Sequence, residues 1–119
     1  MTLREFYDRT GGDYEGVLSR VLDEGRIRKY VKMFKNDPCY GELEMFLEKG
    51  NVEQAFRASH TLKGVCLNIG FNRLYSYTNT VTEALRSKDL ALACENMPNL
   101  RASYKEIIEG IDAACAEEV

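Results

Sequence analysis

The feature that most constrains this chain is the spacing of its apolar residues, which recur at intervals of three and four through most of the sequence. That interval matches the about 3.6 residues of a helical turn and conflicts with the two-residue repeat of a half-buried strand. Strand-like alternation is absent, and proline, which breaks helices from within, occurs only at Pro38 and Pro98. The chain therefore reads as all-α. Its 119 residues suit a single domain over 1–119, long enough to bury a core without help from disulfides or metals.

The helices can be placed from their stripes and end signals. Leu3, Phe6 and Tyr7 indicate a short first helix closed by Gly11-Gly12, and Asp13 caps a second short one carrying Val17, Leu18 and Val21. A helix over 24–35 should bury Ile27, Tyr30, Val31 and Phe34 and leave Arg28, Lys29 and Lys32 in water. Asp37-Pro38 ends it and opens another over 38–49, which Gly50 stops. Asn51, with Gln54 three positions on, resembles a capping box and starts a helix that runs to Gly70. The next spans 72–87 with Leu74, Thr78, Val81 and Leu85 inward, and the last amphipathic segment is divided by Pro98. Beyond that proline, Leu100, Tyr104, Ile107, Ile108, Ile111 and Ala114 face inward, and Arg101, Lys105 and Glu109 face water. Short connections favour antiparallel neighbours, so the expected architecture is an up-and-down four-helix bundle with extra short helices at the N-terminus.

Charge and cysteine usage narrow the function. Sixteen Lys and Arg against nineteen Asp and Glu leave a net charge of -3, which argues against nucleic acid and for protein partners. The N-terminus is charged from Arg4 onward without an apolar signal region, and no later run is long enough to span a bilayer, so a cytoplasmic address is expected. Cys39, Cys66, Cys94 and Cys115 are widely spaced, with no CxxC pair and no companion histidines, and read as free thiols. No metal site and no cofactor is expected of the chain itself.

The helix from Asn51 to Ile69 carries the chain's only histidine. With a step of roughly 100° per residue, Val52, Ala55, Ser59, Leu62, Cys66 and Ile69 form its buried stripe, and His60 projects roughly 130° from the stripe's centre. A lone helical histidine is most often a solvated surface residue or a satisfied core one. The company it keeps decides otherwise here. Phe56, Arg57, Lys63, Gly64 and Leu67 share its side of the helix. Gly64 costs about 1 kcal/mol relative to alanine inside a helix, and a molecule approaching close to the helix axis is one reason to tolerate it. Lys63 would place positive charge beside a phosphoryl group on the imidazole. Phe56 and Leu67 would add an apolar component to a docking surface, the commoner alternative being partial core; Arg57 is either a contact to partner or phosphate or a solvated charge, and Asn68 either a contact to the partner or part of the helix cap.

HTLKG at 60–64, followed by VCLNIG ending at Gly70, resembles the histidine phosphotransfer (HPt) motif, H-x-x-K-G with a glycine ten residues after the histidine. The likeness extends from the AFRASH approach to RSKDLALA. It implies that His60 accepts a phosphoryl group, that Lys63 assists, that Gly64 leaves room for an incoming receiver domain and that Gly70 ends the helix. Phe71 departs from the family, which often has something small there.

The resemblance implies a phosphocarrier in a two-component phosphorelay, not an ATP-using kinase. A neutral imidazole has a free ring nitrogen able to attack an aspartyl phosphate and pass the group to another aspartate. Response-regulator receiver domains would supply the magnesium and the aspartates, with a hybrid sensor histidine kinase as a further partner, and a monomer is the default state. One rival is a helical interaction module that binds a receiver or kinase without transferring phosphate. The other, a hydrolytic or metal-dependent enzyme, would need a second nucleophile, base or ligand, and Cys66 lies about 120° around the helix from His60.

Overall fold

A computed structural model describes residues 1–116, and the described residues form eight helices: α1 (Leu3–Thr10), α2 (Tyr14–Val21), α3 (Glu24–Phe34), α4 (Cys39–Glu48), α5 (Val52–Ile69), α6 (Asn72–Arg86), α7 (Leu90–Glu95) and α8 (Met97–Cys115). No helix among the described residues is long and apolar enough to cross a membrane. The starts at Asp13 and Asn51 are those expected, and caps at Asp23 and Asp89 join them. Asp13, Asp23, Asn51 and Asp89 each accept a bond from an otherwise orphan amide of the first turn. Only half of the expected box forms at Asn51. Its Oδ1 accepts from the Gln54 amide at 3.1 Å, while its own amide donates to the Phe46 carbonyl at 2.9 Å, tying the turn back to α4.

The helices form a bundle in which α5 packs between α4 and α6, and α8 packs against α6 and α3. Side chains close the remaining side. Tyr40 of α4 stacks on Tyr104 of α8 with ring centroids 3.7 Å apart, and Arg101 of α8 grips both carboxylate oxygens of Glu44 at 2.8 and 2.9 Å. Leu43, Leu62, Leu74, Leu85 and Leu100 are buried at the centre. Burial of such side chains at about 1.5–3 kcal/mol each is what offsets the conformational entropy lost by the chain.

The two N-terminal helices complete the C-terminal end of α5, where helix carbonyls lack intrahelical partners. The Cys66 carbonyl accepts from the Phe71 amide at 2.9 Å. Arg20 reaches the Leu67 and Asn68 carbonyls, the Tyr7 hydroxyl donates to Ile69 O at 2.7 Å, and the Asp13 amide donates to Gly70 O at 2.8 Å. Gly70 has φ 78, and a Cβ there would lie 2.2 Å from Val17 Cγ2, so both backbone conformation and close packing demand glycine. Phe71 is fully buried against Phe6, Tyr7 and Phe34. The large residue is accommodated because α1 and α3 surround it with rings at edge-on and tilted angles.

Several expectations need correction. Tyr30 is 41% exposed, since it lies at the edge of the α3 stripe and lines an open groove beside α5. Arg28, expected in water, is largely covered, and its Nε has no hydrogen-bond partner. On α5, Val52 is only half-buried at the first turn, and Ala58, left off the stripe, is buried. Tyr104 and Ile108 are half-buried at the margin of α8. The last segment breaks at Asn96, before Pro98, which sits in the first turn of α8, where its missing N–H costs no helical bond. Two non-glycine residues, Leu22 and Lys88, adopt positive φ of 62° and 60° at turns, with no sequence signal for it.

Candidate functional site

The site is built on α5, whose opposite face is sealed by Ala55, Ser59, Leu62, Cys66 and Ile69. Ser59 is tolerated there because its hydroxyl donates to the Phe56 carbonyl at 3.0 Å. Cys66 is fully buried, and burial pushes its thiol up to about 12, so it stays protonated and inert near neutral pH. The Cys66–His60 pairing that a thiol enzyme would need is not formed.

His60 is exposed, as its angular position requires. Within the chain it meets Phe56, one turn earlier, whose ring lies parallel to the imidazole with centroids 5.8 Å apart and an interplanar angle of 19°. Gly64, one turn later, is exposed, and a Cβ built on it would meet nothing within 4 Å. The chain's own packing therefore gives no reason for glycine at this place. The space beside the imidazole is open.

The surrounding cations differ in what neutralises them. Arg57 pairs with Glu53 at 3.2 Å, and Arg86 of α6 pairs with Glu83 at 3.1 Å. Lys63 is half-buried and donates to Asn79 Oδ1 at 3.3 Å, a neutral amide. Among the described residues it forms no ion pair, so its charge remains available to an anion arriving at His60. Leu67 is 55% exposed and Asn68 is exposed, so both remain available as contacts.

The structure thus brings His60, Phe56, Lys63, Gly64 and Leu67 to one outer face, with Arg57 and Asn68 on the same helix and Gly70 ending it. What the sequence did not disclose comes from other helices. Asn79 holds Lys63, and the Arg86 guanidinium carbon lies 4.9 Å from the centre of the Phe56 ring. On the other flank of α5, Val21, Tyr30, Met33, Val65 and Asn68 line an open, mostly apolar groove. Tyr30, expected on the buried face, and Met33 are both exposed along that groove, which periodicity did not reveal.

Such an arrangement suits nucleophilic catalysis by a single accessible imidazole with a cation at hand, carried out on a group that another molecule presents. A family model described as Hpt domain matches residues 35–114, most of the chain, beginning at the end of α3 and including the whole of α5 and α6. No curated protein and no solved structure matches.

Proposed function

The chain belongs to the Hpt domain family, with a histidine phosphotransfer role in a phosphorelay, and on that premise we propose that His60 carries the phosphoryl group between aspartates of receiver domains. One observation supports this most: an exposed imidazole flanked one turn away by an ammonium that no carboxylate among the described residues neutralises, and by a glycine with open space above it. An imidazole nitrogen attacks the phosphorus of an aspartyl phosphate, forming an N–P bond as the P–O bond to the aspartate breaks and the carboxylate leaves. The reverse displacement, by the carboxylate of a second receiver, frees the imidazole.

In this reading Lys63 stabilises the charge on the phosphoryl oxygens during both displacements. Gly64 admits the receiver's backbone near the helix axis, and Phe56, Leu67, Arg57 and Asn68 contribute to the surface that meets it. The magnesium ion and the aspartates belong to the receiver. Hpt domains are phosphocarriers, partners of the receivers and kinases of two-component systems, and in this reading residues 1–34, outside the match at 35–114, act with it as one domain.

The test is incubation with a phosphorylated receiver. Acid-labile label on the wild type and none on His60→Gln supports transfer; receiver binding with no label on either supports a module that only binds. Lys63→Ala should slow transfer by about tenfold or more with the fold unchanged, in line with losing one electrostatic contact to the transition state. A wild-type transfer rate in that variant would remove the lysine from the mechanism.

A further inference from the structure

The residues that flank His60 on α5 are gripped from α6. Asn79 Oδ1 accepts from Lys63 Nζ at 3.3 Å. A second grip lies further along the same helix: Arg86 sits over Phe56, the ring that stacks on the imidazole, and Glu83 holds the Arg86 Nε with both carboxylate oxygens at 3.1 and 3.3 Å. We propose that α6 is the positioning element of the site, with Asn79 restricting the Lys63 ammonium and Arg86, through Phe56, restricting the His60 imidazole. The inference rests on His60 being the phosphorylated residue and adds that its geometry is set from a neighbouring helix.

The physical case rests on what each side chain would do if released. Lysine ends a flexible four-carbon stem, and an ammonium on a half-exposed helix face sweeps a wide arc. A hydrogen bond to a neutral amide narrows the arc and leaves the charge intact; a carboxylate at the same place would cancel it. Phe56 borders an open groove formed with Val52, Glu53, Leu85 and Lys88, so the ring has somewhere to swing. A guanidinium over its face opposes that motion through attraction to the ring quadrupole. The exposed imidazole stacks on Phe56, so a fixed ring narrows the orientations open to the nucleophile. In-line displacement rewards such restriction, because misalignment of the attacking atom lowers the rate steeply. Asn79 and Arg86 are positioning residues, and neither is assigned contact with phosphate.

The experiment uses the full chain, wild type and the variants Asn79→Ala, Arg86→Gln and Arg86→Lys, with phosphoramidate as the donor. Phosphoramidate transfers its phosphoryl group to imidazole with loss of ammonia and needs no protein docking, so positioning is read apart from partner binding. His60 is the only histidine, so its ring-proton resonances report its stacking without ambiguity. Arg86→Gln should shift those resonances away from their wild-type positions as Phe56 leaves the imidazole and slow phosphorylation about two- to fivefold, with Arg86→Lys restoring both. Asn79→Ala should leave the resonances in place and slow phosphorylation about two- to tenfold. A wild-type rate in Arg86→Gln or Asn79→Ala, with the wild type labelled normally, overturns the role given to that residue. Arg86→Lys behaving like Arg86→Gln overturns the cation–ring contact as the cause. A wild type that takes label from neither phosphoramidate nor a phosphorylated receiver overturns the His60 reading itself and this inference with it.

Discussion

Gly64 and Gly70 lie at the site and at the end of the same helix, and they answer the same substitution with opposite signs. At Gly64 nothing lies within 4 Å of an added Cβ, so Gly64→Ala should raise stability by about 0.5–1 kcal/mol through helix propensity alone. At Gly70 a left-handed φ of 78° and the Val17 side chain stand in the way, so Gly70→Ala should destabilise by at least about 1–2 kcal/mol. Denaturant midpoints of the two variants check the pair. A loss of stability at Gly64 would show that the glycine answers a need of the fold. Gly64→Gln should fold as well as the wild type yet bind a receiver more weakly, because the longer side chain occupies the space through which the receiver approaches. Unaltered affinity would dissociate the glycine from docking.

The helix α5 depends on elements remote in sequence for the partners of its last carbonyls, and these partners differ in worth. The Tyr7–Ile69 bond is buried and 2.7 Å long, so Tyr7→Phe strands a carbonyl away from water and should cost about 1–2 kcal/mol. The Arg20 bonds are 3.3 and 3.4 Å long and exposed, so water replaces them and Arg20→Gln should cost only a few tenths of a kcal/mol, about the scale of a screened charge at a helix C-terminus. Thermal unfolding of both variants tests the order; an equal cost would mean that the cation, not burial, stabilises the helix end. Because the family match begins at residue 35, the Tyr7 and Arg20 bonds come from the part of the chain outside the match.

Over the whole molecule, burial places several protonated groups under the same constraint. It holds the phenols of Tyr7, Tyr40 and Tyr104 above their ordinary range, in Tyr40 with help from the hydrogen bond to Glu44, and pushes the Cys66 and Cys39 thiols up to about 12. The unfolded chain ionises these groups at their ordinary values, about 8.5 for a thiol and 10 for a phenol. Below that range both states are protonated and the contribution to stability is fully present. Above it the unfolded state binds fewer protons than the native one, so stability falls with rising pH. Denaturant midpoints should therefore decline from about pH 9 upward, with tyrosinate absorbance rising together with unfolding. A midpoint that stays level to about pH 11 would contradict the burial of these groups.

The pattern of residues by itself determined the helices, most of their ends and the face each one hides, because a period of about 3.6 and the chemistry of caps act over a few neighbouring residues. For the same reason it placed His60, Lys63 and Gly64 on the water-facing side of α5. Tertiary structure alone decided what meets those faces: Asn79 on Lys63, Arg86 on Phe56, Tyr7 under Ile69, and Phe71 among the rings of α1 and α3. Periodicity tells which way a side chain points about its own axis. Which partner it finds depends on how helices cross, and that is set by the packing of all their surfaces at once.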